Sequence, residues 1–371
     1  MSAVRTVSYV NSANASLARL LRRFCLSFLL FLLIVFICAP SFASDPDATS
    51  RYRHMAEQIR ATFDKALPTF SSYVQRHYAM RMYRATGDTA YVPWLVNHAK
   101  YAIAKVQIDV DSLNNPHYFA RRIAEEAETF ERDTRKNRLR RAMFKKWDEE
   151  LVYLELLSQL NWLADYGLDS STVGPLMARA RAKISQHDLS KFLLDPDVIR
   201  VYAAKAVNFV YFLEHLGIAD IRKEYMEVFR DVFDRMPDNR LDEHRYSDKI
   251  YGLTHIILAA SQYYQQPVDS AEYGWVTDRL EARIDKILKE TSSDIIVEVA
   301  LCFCLTGQEN HPIVERCKKV LLKSFDSKKG MILSETGNKD LSQGEHRNVL
   351  AFMLFARHDT LYPGPLLTRY F

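Results

Sequence analysis

The sequence predicts an all-α fold arranged as a ring of six helical hairpins, and three observations carry that reading. Only 11 Gly and 12 Pro punctuate 371 residues and 48% of them are apolar, which argues against disorder, collagen-like repeats and a many-stranded β domain. Apolar residues recur at helical spacing almost throughout, in segments of two alternating kinds. The starts of one kind, near Trp147, Pro196, Tyr246, Ser293 and Glu345, are separated by 49, 50, 47 and 52 residues, a period of one hairpin.

Taken in order, the first 43 residues read as an export signal and not as part of the fold. Arg5, Arg19, Arg22 and Arg23 form a cationic lead without an acid, residues 24–39 are apolar apart from Ser27, and Ser41 and Ala43 stand where a signal peptidase reads small side chains. Cleavage would leave residues 44–371 as a single domain, periplasmic or secreted, with no stable membrane insertion. An uncleaved anchor is the alternative, because the apolar run approaches spanning length. Cys38 follows Ile37 where a lipoprotein signal needs a small residue, which disfavours lipid attachment. Removing the four arginines leaves 46 basic against 46 acidic residues, so nucleic acid is not an expected partner.

In the remaining chain, segments 150–166, 198–216, 250–264, 295–305 and 349–356 are apolar nearly all round and must be surrounded by protein. Between them, segments 91–107, 176–184, 221–236, 276–288 and 313–325 carry charge on one face and so meet water. A sixth inner helix starts at Pro68; its distance of 79 residues from Trp147 implies a helical insertion near 114–146. It is the least regular of the set, because His77, Arg81 and Arg84 interrupt it. An outer helix over residues 51–65 completes the ring, and Gly87, Gly167, Gly217 and Gly307 fall where left-handed caps end inner helices.

The run Tyr83-Arg84-Ala85-Thr86-Gly87-Asp88-Thr89-Ala90-Tyr91 resembles the inner-to-outer turn of α/α-toroid proteins, and Leu305-Thr306-Gly307 with Gly330 resembles a second copy. The resemblance implies an (α/α)6 toroid, a scaffold shared by glycoside hydrolases, polysaccharide lyases, sugar epimerases and cyclases, so it does not choose a reaction. The whole chain also resembles a bacterial family of exported proteins known only as a domain of unknown function, which implies no mechanism.

In such a ring the glycine turns lie at one end, and the longer connections form the mouth at the other. Asp148, Glu149, Asp195, Asp197, Asp248, Asp294 and Glu345 fall near inner-helix starts there, where paired carboxyls would suit glycan cleavage. Helix capping accounts for the same acids. Glu345-His346-Arg347-Asn348 is the densest polar cluster: His beside Glu suits acid and base work, and Arg suits two-point contact with an anion. Asn115 and His117 resemble, across an extra Pro116 and with Phe119 in place of Trp, the asparagine-histidine-tyrosine motif of periplasmic alginate lyases; an Asn-Asn-Pro turn explains the same letters. Trp147 and Tyr246 sit where a ring could stack on sugar. His255, on an apolar helix, reads as a hydrogen-bonded core histidine.

Residues 135–146 hold seven basic residues and no acid, either a surface for an anionic glycan or membrane or a solvated helix face. Of the cysteines outside the signal, Cys302 and Cys317 are the pair that antiparallel helices would bring level.

The resulting expectation is an exported carbohydrate-active lyase or hydrolase acting on a polysaccharide or similar polar ligand. Glu345, His346 and Arg347 would be catalytic, opposed by Asp248 or Asp148, and Asn348, Tyr246, Trp147, Asn115 and His117 would bind substrate. No metal or cofactor signature is present. The alternative is a non-catalytic glycan-binding or envelope-assembly protein on the same scaffold.

Overall fold

The computed structural model describes residues 46–131, 133–356 and 360–371, so the proposed signal, with Cys25 and Cys38, lies outside the described residues. The folded unit runs from Tyr52 to Phe371. In chain order its helices are α1 (Pro46–Ala66), α2 (Ser72–Thr86), α3 (Val92–Ser112), α4 (Pro116–Glu128), α5 (Arg135–Asp165), α6 (Gly174–Ile184), α7 (Ser190–Leu193), α8 (Pro196–His215), α9 (Arg222–Asp234), α10 (Glu243–Ala260), α11 (Ser270–Glu281), α12 (Ile284–Glu290), α13 (Ser293–Leu305), α14 (Pro312–Lys323) and α15 (Leu341–Ala356). A small antiparallel ribbon, β1 (Phe325–Asp326) with β2 (Met331–Ile332), precedes α15. The fold is all-α. No helix among the described residues is long and apolar enough to cross a membrane.

Local chemistry sets the helix ends. Ser71, Asn115, Asp195 and Asp242 accept backbone N–H groups in the first turns of α2, α4, α8 and α10, and Pro116 and Pro196 occupy first-turn positions that need no donor. Helix α5 runs through a kink at Trp147 (φ −135°, ψ 33°), so its charged first half, with α4, forms the insertion expected near 114–146. The second half is buried from Leu151 to Leu163.

The buried helices touch in a definite succession. Helix α2 packs on α15, α15 on α13, α13 on α10, α10 on α8 and α8 on α5. Helix α3 lies between α5 and α2, and Arg76 of α2 reaches over the ring of Trp162 on α5. The one-sided helices pack on these: α9 on α8, α11 on α10 and α13, and α14 on α13 and α15.

The C-terminal ends of α2, α5 and α10 meet at Arg84. Its Nη1 donates to the carbonyls of Gln262 (3.1 Å) and Tyr263 (2.9 Å), its Nε donates to Gly364 (3.1 Å), and Nη2 lies 3.6 Å from Asp165. Helix C-termini carry partial negative charge, so a guanidinium suits this place. Gln262, Tyr263 and Tyr264 are all left-handed (φ 51°, 56° and 73°), a conformation costing an L-residue about 1–2 kcal/mol each. Arg84 holds two of their carbonyls. The last segment of the chain crosses the same end, where Tyr362 N–H bonds Arg84 O and Leu367 N–H bonds Tyr166 O. A side chain at Gly87 (φ 69°) would put Cβ 2.8 Å from the Tyr362 ring.

No disulfide joins Cys302 to Cys317, the pair that antiparallel helices would bring level, and both are buried thiols. Cys302 points towards α10, its thiol 3.5 Å from the Thr254 carbonyl, because the helix turns that position away from α14.

Candidate functional site

Helix α2 supplies one wall of a central cavity of about 330 Å³. Tyr73, Arg76, His77, Met80, Arg81 and Arg84 all line it, and at about 100° per residue they span an arc of roughly 140° on one helix face. Across from them stand Trp162 of α5, Asn208 of α8, His255 of α10 and His346 of α15. The buried helices thus converge their polar residues on one space.

Two imidazole–carboxyl pairs face each other there. His77 Nδ1 lies 2.9 Å and 2.8 Å from the two oxygens of Glu345, both groups being almost fully buried. His346 Nδ1 donates to Asp294 (3.0 Å), and its Nε2 lies 3.6 Å from Glu298. The rings of His77 and His346 are 5.2 Å apart between centroids. Glu298 also accepts from the Thr254 hydroxyl (2.6 Å) and stands 3.7 Å from His255 Nε2, while His255 Nδ1 is held by Asn208 (2.9 Å). The remaining accessible surface of His346, 34% of its side chain, belongs to the cavity wall.

Burial divides these groups by protonation. It pushes the carboxyls of Glu298 and Glu345 up to about 7, against the opposing fields of His346 and Arg81. It drives His255 down to about 3 and His77 well below the usual imidazole range, with Arg81 adding to the effect in both. Burial also works against a charged His346, but Asp294 and Glu298 outweigh it and hold that imidazole above its ordinary value. Asp294, despite burial, is held low by His346 and Arg347. Near neutral pH the cavity therefore offers proton donors and proton acceptors side by side.

The structure brings Glu345 and His346 into this cluster, and the other residues singled out in the sequence go elsewhere. Arg347 is buried, donating to the Ile332 carbonyl (3.2 Å) and Asp294 (3.1 Å), so it braces α13 and the ribbon without entering the cavity. Asn348 is fully buried; its amide bonds both backbone groups of Ile332 and the Gly344 carbonyl, which fastens β2 to α15. Asp248 lines a separate, more apolar groove of about 790 Å³ and pairs with Lys136 (3.1 Å). Asp148 accepts the Glu149 backbone N–H (2.9 Å) beside the kink. Tyr246 is wholly buried with Lys286 Nζ 4.3 Å above its ring and so is closed to a sugar, and Trp147, partly buried, packs edge-on to Phe192 with Lys146 Nζ 4.6 Å over its ring. Asn115 caps α4 by accepting the His117 N–H (3.0 Å), and His117 is exposed beyond it. Capping accounts for Asn115, and packing for Arg347, Asn348 and Tyr246.

His77, Arg76, Arg81 and Glu298 were not singled out as site residues. The signals were present: the polar residues that made α2 irregular, and a lone acid inside the apolar run 295–305. His255 has the hydrogen bond expected of a core histidine, yet it lines the cavity. Among the described residues no three His, Cys, Asp or Glu side chains are grouped as metal ligands.

The family described as Domain of unknown function (DUF3541) matches residues 52–370, nearly the whole folded unit. The chain belongs to the DUF3541 family. No curated protein and no solved structure matches the chain.

Proposed function

We propose that this DUF3541 chain is an exported carbohydrate-active enzyme, a polysaccharide lyase or glycoside hydrolase, on an (α/α)6 toroid. The succession of buried helices from α2 through α15, α13, α10 and α8 to α5, with one-sided helices packed on them, supports the toroid. The meeting of His346, Glu298, His77 and Glu345 around one cavity carries the catalytic reading. Cleaving a glycosidic bond by elimination or hydrolysis needs one group that takes a proton and another that gives one. In this reading His346, oriented by Asp294 and backed by Glu298, gives the proton to the leaving oxygen; His77, backed by Glu345, takes the other from substrate or water. Trp162 and the exposed Tyr73 form an aromatic wall beside the pair.

The test is a screen of the purified protein against uronate and neutral polysaccharides, scoring unsaturated products and new reducing ends. Turnover by the wild type should fall by about 10²-fold or more in His346→Ala. Turnover unchanged by that substitution would refute the assignment. Binding by the wild type without turnover would support a non-catalytic glycan-binding role instead. Export is tested separately: mass spectrometry of the exported protein should find Ser44 at its N-terminus, and a retained Met1 would favour an anchor.

A further inference from the structure

Resting on the reading of the cavity as a glycan site, we propose that its ligand is an acidic sugar whose carboxylate is held by Arg76 and Arg81. Six cationic side chains are buried among the described residues: Arg76, Arg81, Arg84, Arg122, Lys249 and Arg347. Four of them face a carboxylate. Arg84 lies 3.6 Å from Asp165, Arg122 is 3.1 Å from Asp109, Lys249 is 2.8 Å from Asp238 and Arg347 is 3.1 Å from Asp294. Arg76 and Arg81 have no such partner, each keeps a buried Nε without an acceptor, and both line the same cavity.

Uncompensated charge in a low-dielectric interior is costly. Arg76 lies 4.4 Å over the centroid of Trp162, which engages the face of the guanidinium; at its edge it meets the Tyr166 hydroxyl but no carboxylate. Arg81 makes one long bond, 3.4 Å, to the His77 carbonyl. The two glutamates that feel the field of Arg81 have other partners: Glu345 is engaged with His77, and Glu298 with Thr254 and the other two histidines. A guanidinium fork matches a carboxylate in two-point contact, and here it would set an acidic sugar beside His77 and His346.

Calorimetric titration of the full chain with trimannuronate, triguluronate and trigalacturonate, each beside its neutral methyl ester, tests the inference. At least one acid should bind at least about tenfold more tightly than its ester. Arg76→Gln and Arg81→Gln should each weaken that acid by about tenfold or more and leave the ester unchanged. Arg81→Lys, which keeps the charge but not the planar fork, should lose part of the affinity. Because the glutamine variants remove unpaired charge, their unliganded melting temperatures should hold or rise, which separates lost binding from lost folding. Equal binding of acid and ester, no binding by any acid, or wild-type affinity in both glutamine variants would overturn the proposal. An acid that binds in the expected pattern but is not turned over leaves this inference standing and removes the catalytic reading. Turnover of a neutral glycan that is indifferent to Arg76 and Arg81 does the reverse.

Discussion

Arg84 and Arg81 lie one turn apart on the same face of α2, are both buried, and differ in almost everything else. Arg84 closes the end of the helix assembly, with three backbone carbonyls and Asp165 around it. Arg81 faces the cavity with one long bond, a buried Nε without an acceptor and no carboxylate paired with it. The difference teaches that burial alone does not assign a polar residue to structure or to function; its partners do, and Arg84, although its Nη2 makes no hydrogen bond, has a carboxylate and three carbonyls that Arg81 lacks. Asn348 belongs with Arg84, since its amide is fully used in holding β2. Arg76 belongs with Arg81.

The contrast is most exposed at Arg84. Arg84→Met should destabilise the fold by about 3–5 kcal/mol, because it leaves Asp165 without its cation, takes a charged donor from the carbonyls of Gln262, Tyr263 and Gly364, and releases the left-handed turn at residues 262–264. Denaturant unfolding measures this, and a loss no larger than that of Arg81→Gln would erase the distinction. Asn348→Ala should cost about 1–3 kcal/mol by the same measurement, as the buried N–H of Ile332 loses its acceptor while its carbonyl keeps only Arg347.

Glu298 sharpens the comparison through pH. Its folded-state value of about 7 stands above the ordinary 4.5, so the folded protein holds a proton there that the unfolded chain has released. The stability this contributes is fully present below about 4.5 and is lost as pH rises through about 7. His346, also raised, acts in the same direction. Glu298→Gln lacks the first component, so its melting temperature relative to wild type should climb between pH 5 and pH 8 by at least roughly 2 °C. A constant difference would mean that Glu298 is not buried as a neutral acid. The smallest effect is expected at Asp248, whose partner Lys136 is half exposed: Asp248→Asn should change stability by no more than about 0.5 kcal/mol and leave turnover intact. A large loss of turnover there would move the site to the neighbouring groove.

Much of the architecture was legible without coordinates. Periodicity alone separated buried from one-sided helices, because a helix with no polar face cannot border water. Asp195-Pro196 and Asn115-Pro116 announced helix starts, and Gly87 and Gly167 announced ends, since capping and left-handed geometry depend on residues adjacent in sequence. The inner-helix start expected at Trp147 falls on the kink in α5. The candidate site was legible only in part: Glu345 and His346, which line or adjoin the cavity, were marked by their density, whereas Asp248, Tyr246, Trp147 and Asn115, which lie elsewhere, were marked by position near helix starts, where capping and packing use the same residue types.

The sequence by itself determined which segments are helical, which faces are apolar and where the chain turns, because these follow from neighbours within one or two helical turns. Only the tertiary structure decided that His77, Glu298 and His346, far apart in the chain, stand around one cavity, and that Arg81 lacks the partners Arg84 has. Local pattern fixes a side chain's direction about its own helix axis. Its depth and its partners depend on how helices from distant segments slide and rotate against each other, and that is set by the packing of the whole core.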